Sequence, residues 1–556
     1  MQWTVNELRK EVIGSEATFK TSYGERFVTY ADYTASGKTL KFIEKYMITL
    51  QEMYANSHTE DSETGKVMTA LVHKAEEKMK KMLNADDYNI FAVGTGATGA
   101  IHKLISIFGL YYAPGLTRYV NIDKSKIENR PVVFISSYEH HSNDLMWRES
   151  IAEVVIIGLT PLGEFDLKDL EEKVSSPAYK GRLKIGSFSA ASNVTGIKSP
   201  VYEIAKIMHA HGGYACFDFA ASGPYVDINM KKDDESYFDA IYLSMHKFIG
   251  GPASSGLLVL NSRLYDIYNK PTIAGGGTVD YVSVSGYDFS KVVEERERAG
   301  TPGILQIFKA SLALEVKEKI GIEQIEKIEH DYISRVMYKL MKNDRVEILG
   351  SKDPSKRVSI LSFNIRYEDG YLHHKFIAKL LNDLFGIQSR AGCACAGPYG
   401  HELLHIASEV SSKYREIIKS GINALKPGWV RVNFHYAMSP EAVDFIADAI
   451  LFIADNGHLF LQEYQMHMTS GLWTHKDFVE DDTIVKQFGI DASIADSASD
   501  VFKSKALDHN ALMKQYMVEA KAKAEKLAKT FNDNFAQFDQ ATLNDLKWYY
   551  VAAMTK

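Results

Sequence analysis

The sequence predicts an α/β protein: a large domain on a mostly parallel, seven-stranded sheet, then a smaller C-terminal α/β domain and a helical C-terminal extension. Three observations carry this expectation. Between about Tyr88 and Leu260, short apolar runs rich in β-branched residues alternate with helical patterns. Beyond about Gly303 a helical region leads into a second, shorter alternation, and after about Glu463 the pattern turns amphipathic and helical.

The strand candidates of the large domain are, in order, Ile90–Val93, Val132–Ser136, Val154–Ile157, Lys184–Phe188, Ala215–Phe219, Ala240–Ser244 and Leu257–Leu260. Near-continuous apolar strands of this kind are buried on both faces, as in parallel sheets. In the second domain a strand at Val358–Ile365, a helix at His373–Asn382 stopped by Gly386, and a strand at Val430–Phe434 are expected. In the extension, Leu512, Tyr516, Ala520, Leu527 and Phe531 recur at helical spacing. The expected division is 1–30 as an N-terminal segment, 31–302, 303–462 and 463–556. The extension is expected to pack on the body of the protein or on a sister subunit.

Composition narrows the function. With 556 residues, 46% of them apolar, the chain has material for a large core. Its 64 basic residues against 71 acidic ones leave a net charge of -7, which gives no footprint for nucleic acid. No apolar stretch reaches the roughly 20 residues of a membrane span, and the polar start lacks a signal pattern, so a cytoplasmic protein is expected. Cys216, Cys393 and Cys395 are too few for a disulfide framework and suit a reducing compartment.

Candidate chemistry falls where strands end, the place at which ligands gather on such sheets. Ser244-Met245-His246-Lys247 closes one apolar run, and a lysine held there can be neutralised and used for imine chemistry. Asp218 closes another run. A carboxylate beside a pyridine nitrogen keeps it protonated, so acid and lysine together suggest pyridoxal phosphate; an ordinary helix cap is the bland alternative for Asp218. Gly94-Thr95-Gly96-Ala97-Thr98-Gly99 follows a strand and opens a helix, a turn suited to phosphate. The same glycines spell a dinucleotide fingerprint, but the next strand ends in Ser136-Ser137 rather than an acid, and the lysine of a P-loop is missing. Ser244 and His246 are further donors for that phosphate.

Glu139-His140-His141-Ser142-Asn143 follows the strand Val132–Ser136. A flat His140 stacked on an aromatic cofactor suits it better than metal binding, since no Cys or carboxylate pattern completes a zinc site, and a structural His is the alternative. Ser389-Arg390-Ala391-Gly392-Cys393-Ala394-Cys395-Ala396-Gly397-Pro398 reads as a mobile loop carrying two thiols near an arginine, which suits a nucleophile. Arg431, within an alternating strand pattern, is a candidate carboxylate clamp, with a plain surface position as its rival.

Taken together these residues resemble the class V aminotransferase superfamily of fold-type I pyridoxal-phosphate enzymes, and within it the second group of cysteine desulfurases and selenocysteine lyases. The matching segments run from about Tyr30 to Ala447. Besides those above they include Ala31–Gly37, Ser192–Gly196, Gly275–Gly277 and Ala299–Pro302. The resemblance implies that Lys247 carries pyridoxal 5'-phosphate as an imine, that His140 stacks on its ring, and that Asp218 pairs with the ring nitrogen and Asn193 with the ring-oxygen side. It implies a phosphate site of Gly96, Ala97, Thr98, Ser244 and His246, with Gly277 or Thr301 arriving from a second subunit of a homodimer. Arg431, Arg390 and His58 would hold the substrate, L-cysteine. Cys395 would accept its sulfur for a partner protein, with no metal, nucleic acid or membrane involved.

The chain also departs from the family pattern. Ala221 stands in place of a glutamine, Gly99 in place of a glutamate and Cys393 in place of a histidine. These departures bear on substrate and acceptor. A lyase, transaminase or epimerase of the same superfamily remains an alternative, as does a non-catalytic protein that keeps the fold.

Overall fold

The computed structural model describes residues 3–57, 59, 61–491, 507–532, 534–539 and 541–555. The chain forms two compact units. One comprises Met1–Ile13, Thr34–Ile328 and Lys356–Val358; the other comprises Gly14–Tyr33, Glu329–Ser355 and Ser359–Lys556.

The large unit is built on seven strands: β1 Tyr88–Val93, β2 Val132–Ser136, β3 Glu153–Ile157, β4 Lys184–Ser189, β5 Gly213–Asp218, β6 Ala240–Leu243 and β7 Gly256–Asn261. Their spatial order is β1-β7-β6-β5-β4-β2-β3. Every pair from β3 through β6 is parallel, and β7 runs antiparallel to both neighbours. Each expected strand is present within a few residues. Strands β2, β6 and β7 are buried throughout, the pattern demanded of a sheet covered on both faces.

Helix Gly96–Ile107 follows β1 and sinks Ala100, Ile101, Leu104 and Ile105 into the core with Phe91, Val133, Tyr242 and Leu258. Its first residue is pinned against β7. A Cβ built on Gly256 would lie 2.3 Å from the Gly96 Cα, so only glycine lets this strand pass the helix start.

The helix Ile304–Ile320 belongs to the large unit, although a second domain is expected to open at 303. Its buried residues surround it, Ile304, Ile307, Phe308 and Leu314 among them, and it packs on helix Glu63–Met82.

The small unit carries a six-stranded sheet in the order Arg390–Gly392, Trp429–Asn433, Ile360–Tyr367, Gly370–Leu372 and Tyr549–Tyr550, with Val346–Ile348 also paired to Ile360–Tyr367. Helix His374–Phe385 stops at Gly386, which takes the left-handed conformation at φ 71°. Residues 14–30, expected to be a separate N-terminal segment, fold into this unit. Thr18–Thr21 and Gly24–Phe27 form a hairpin, and Thr29–Tyr30 pairs in parallel with Ile387–Gln388.

The extension is helical only in part. Helix His509–Ala528 is present, with Tyr516, Ala520 and Leu527 buried; Arg26 lies 4.4 Å from the Tyr516 ring and 2.9 Å from Glu519. Around it, Tyr464–His467, Trp473–His475 and Met554–Thr555 form a three-stranded sheet, and Tyr549–Tyr550 joins the main sheet of the unit. Strands two to four residues long are too short to print a period of two on the sequence. Among the described residues, no helix is long and apolar enough to cross a membrane.

Gly256→Ala should cost about 2 kcal/mol or more, because its new methyl meets backbone that cannot rotate away. Gly115→Ala, which meets nothing within 4 Å, serves as the control. Thermal unfolding of both variants beside wild type checks the difference.

Candidate active site

In the large unit the carboxyl ends of β2, β4, β5 and β6 are tied together by buried polar side chains. Glu139 lies just past β2. Its Oε1 accepts from the Ser136 hydroxyl at 2.5 Å and the Ser189 amide at 2.9 Å; its Oε2 accepts from the Ser189 hydroxyl at 2.6 Å and Asn143 Nδ2 at 2.7 Å. Asn143 in turn accepts from Trp147 Nε1 at 3.0 Å and from the Ser187 hydroxyl at 2.6 Å, and that hydroxyl lies 3.1 Å from the Tyr242 hydroxyl of β6. Burial pushes the Glu139 carboxyl up to about 7, against the downward pull of these donors.

This network sets the next helix, His141–Glu149. His140 is its cap residue, and Nδ1 accepts the Ser142 amide at 3.1 Å, which leaves Nε2 to carry the proton of a neutral ring. The Ser142 hydroxyl is 2.8 Å from Thr98 Oγ1 in the first turn of helix Gly96–Ile107. The same turn is bound from β6, because the Ala97 amide donates to Ser244 Oγ at 2.9 Å. A Cβ on Gly96 would come within 2.7 Å of that oxygen and 3.5 Å of His246 Cδ2. Gly96, Ala97, Thr98, Ser244 and His246 are thus one cluster at the N-terminus of a 12-residue helix, where amide dipoles favour an anion.

Asp218 ends β5, and its strand pairs it with Tyr242 of β6, five residues before Lys247. The carboxylate accepts the Ala220 amide at 2.8 Å in a local turn and caps no helix. Burial raises its pKa; the Ala220 amide and the charge of Lys247 oppose the rise. Lys247 closes a short turn after β6, and burial together with its charge lowers the pKa of His246. The Thr34–Gly37 segment is packed against this turn: the Gly37 amide donates to His246 O at 2.9 Å, and a Cβ at Gly37 would strike Phe248 O at 2.1 Å. Asn193 is buried in the turn after β4, where the Ser192 hydroxyl accepts the amides of Val194 and Thr195, both at 3.2 Å. Gly277 and Thr301 are both exposed. Their segments are joined by the Gly300 amide donating to Gly276 O at 2.8 Å, and Thr301 Oγ1 accepts from Asn56 at 3.2 Å.

In the small unit, strands Arg390–Gly392 and Trp429–Asn433 place Arg390 directly opposite Arg431. Asp32 lies between the two guanidinia: its Oδ1 accepts from Arg431 Nη2 at 3.0 Å and its Oδ2 from Arg390 Nε at 3.1 Å. The Arg431 side chain is 5% exposed and that of Arg390 50% exposed, so the plain surface reading fails for Arg431. Two arginines and one aspartate leave this corner with one positive charge, matched to a single carboxylate. Burial lowers the pKa of Arg431, Asp32 opposes that, and the Cys395 thiol is close enough to contribute.

Cys395 sits at the exposed tip of a turn closed by the Ala396 amide donating to Cys393 O at 3.1 Å. Ala394 and Cys395 are both left-handed, at φ 47° and 57°, a costly conformation for residues with a Cβ. His58 lies outside the described residues. On the sequence alone Glu139, Asn143 and Asp32 read as members of motifs with no role of their own. Charged or amide groups inside apolar surroundings are the available signal, but the partners that fix their work, Ser189 for Glu139, Ser187 for Asn143 and the two arginines for Asp32, lie tens to hundreds of residues away.

Because Glu139 titrates at about 7 in the fold and at 4.5 in its absence, its stabilising contribution is full below about pH 4.5 and is lost as pH rises through 7. Glu139→Gln does not titrate. The stability difference should therefore move in favour of the variant by about 3 kcal/mol between pH 4.5 and 7 and stay level above, as read from denaturation across that range.

The comparisons agree with this architecture. A family model described as aminotransferase class-V matches residues 29–446. A probable cysteine desulfurase of Halalkalibacterium halodurans is 28% identical over 408 residues, which cover 72% of this chain and 92% of the relative. One from Pyrococcus abyssi is 31% identical over 272 residues, 48% of this chain and 63% of the relative. The apo structure of a cysteine desulfurase from Thermococcus onnurineus NA1 superposes with a TM-score of 0.65 at 22% identity, over 82% of this chain and 99% of that one. With the sheet order, the cluster at Gly96 and a family match over most of its length, the chain belongs to the class V aminotransferase family.

Proposed function

We propose that this chain is a pyridoxal-phosphate-dependent cysteine desulfurase, which converts L-cysteine to L-alanine and keeps the sulfur as a persulfide on Cys395. The observation that carries the reading is a buried Asp218 at the end of β5 with Lys247 in the turn just past the adjacent β6, near enough for its charge to act on that carboxylate, beside a glycine-lined anion cradle. The residues fit the cofactor. The cradle at Gly96, which a Cβ would fill, suits a phosphate, and Asp218 is a buried carboxylate in need of a cationic partner such as a protonated ring nitrogen.

Pyridoxal phosphate, when bound, supplies an electron sink for negative charge at the α-carbon of the amino acid. Thr98, Ser244, His246 and the first-turn amides would hold its phosphate, with Lys247 joined to its aldehyde, and His140 and Asn193 against its ring. Lys247 would serve as the general base that takes the α-proton and later returns a proton. Arg431, kept in place by Asp32, holds the substrate carboxylate with Arg390 beside it. The Cys395 thiolate attacks the substrate sulfur: the carbon–sulfur bond breaks, a sulfur–sulfur bond forms, and the product carbon gains a proton to give alanine. The persulfide then passes to an acceptor protein. In this reading the protein is a cytoplasmic homodimer in which Gly277 or Thr301 completes the phosphate site of the partner subunit.

Purified protein is incubated with pyridoxal phosphate, L-cysteine and a reductant, and alanine, pyruvate and sulfide are quantified for wild type and Cys395→Ala together. Wild type should release alanine and sulfide. Cys395→Ala should keep the absorbance of the bound cofactor and lose sulfur transfer by 100-fold or more, roughly the effect of deleting a covalent nucleophile. Pyruvate as product, or turnover that ignores Cys395, would sink the reading in favour of another chemistry of the family.

A further inference from the structure

The strained turn that carries Cys395 needs something to hold it, because two adjacent left-handed residues bearing Cβ atoms persist only where their surroundings over-determine them. Both flanks of the turn are packed. On the far side, Gly400 lies so close to the Trp429 ring that a Cβ there would be 2.9 Å from Cη2. On the near side is Gly392, at φ 125°, whose Cα would lie 2.9 Å from a Cβ on Gly428; the same Cβ would lie 3.0 Å from His374 Cε1. Gly428 therefore abuts both Gly392, directly before Cys393, and the His374 ring.

What fixes His374 is stacking. The imidazole is 1% exposed, burial drives its pKa well down so that it stays neutral, and its Nδ1 has no hydrogen-bond partner among the described residues. His373 stacks on it at 4.3 Å, and Trp548 lies parallel to it at 5.5 Å with 2° between the planes. Trp548 belongs to the extension and is itself held. Its Nε1 donates to Leu425 O at 3.3 Å, its carbonyl accepts the Tyr371 amide at 3.1 Å, and the residues after it form the parallel strand Tyr549–Tyr550.

We propose that Trp548 is a positioning residue for sulfur transfer: by stacking on His374 it braces Gly392 and the turn that presents Cys395. The C-terminal extension is then a built-in support of the nucleophile. The proposal rests on the desulfurase reading for its kinetic consequence, but the state of the turn can be tested without it.

The test uses full-length holoprotein in a Cys393→Ser background, so that Cys395 is the thiol open to reagent while Cys216 stays buried. Trp548→Ala and Trp548→Phe are compared with this parent for bound-cofactor absorbance, for kcat and KM of alanine formation, and for the rate at which a small alkylating reagent modifies Cys395 without substrate. Trp548→Ala should keep the cofactor, lose about tenfold in kcat with KM within about twofold, and alter the alkylation rate by at least about threefold; Trp548→Phe should recover most of both. His374→Gln should reproduce Trp548→Ala, and it takes over if the alanine variant fails to fold. Parent-like kcat and alkylation in these variants would overturn the proposal, as would a loss that travels with the cofactor or that Phe does not mend. If wild type makes no alanine at all, the desulfurase reading falls, and the alkylation comparison alone decides the brace; the same comparison decides it if only the Cys393→Ser parent is inactive.

Discussion

The large unit depends on a carboxylate that has been taken out of water. Glu139 is 3% exposed, and its two oxygens gather donors from the ends of β2 and β4 and from the helix between them. A buried carboxylate of this kind is tolerated only when its lone pairs are satisfied, so the requirement runs in both directions. The strand ends must meet at one register for Glu139 to be buried, and once it is buried they are fixed. Through Asn143 and Ser187 the constraint reaches Tyr242, the residue paired with Asp218 and the one that leads the chain towards Lys247. Side chains that never touch substrate thus align those that would.

The small unit solves a different problem. It holds a buried guanidinium and an exposed thiol, and each is held by other means. Arg431 keeps its charge because Asp32 accompanies it, and Arg390 on the opposite strand restores one surplus positive charge. Cys395 is held by backbone shape instead, in a turn that glycine would accept more readily than the alanine and cysteine that occupy it. Close packing of Gly428 on Gly392 and of Gly400 on Trp429 flanks that turn, and Gly428 leads through His374 to Trp548.

Much of this was legible in advance. Most of the seven strands read as apolar β-branched runs because both faces are covered, the edge strand β3 being the half-exposed exception, and Asp218, Lys247 and the glycine turn fall near their ends because ligand sites on such sheets form there. Less legible were the features whose partners are distant in sequence. Asp32 reads as one acid in a motif until Arg390 and Arg431 are found beside it, some 360 to 400 residues on. The extension is harder to read for a further reason: apolar residues of its helix His509–Ala528 recur at helical spacing, while its described strands, made of two to four residues, are too short to show a period.

The sequence by itself determined the family, the sheet and the chemical vocabulary: a lysine, an acid, an anion turn and a thiol, each on a recognisable local element. These are properties of short segments, in which residue type and spacing suffice. Only the tertiary structure decided which groups are buried, which charges are paired and what supports the turn at Cys395. Such facts arise from residues that meet across the fold, where desolvation, packing and Coulomb attraction act on neighbours the chain does not place side by side.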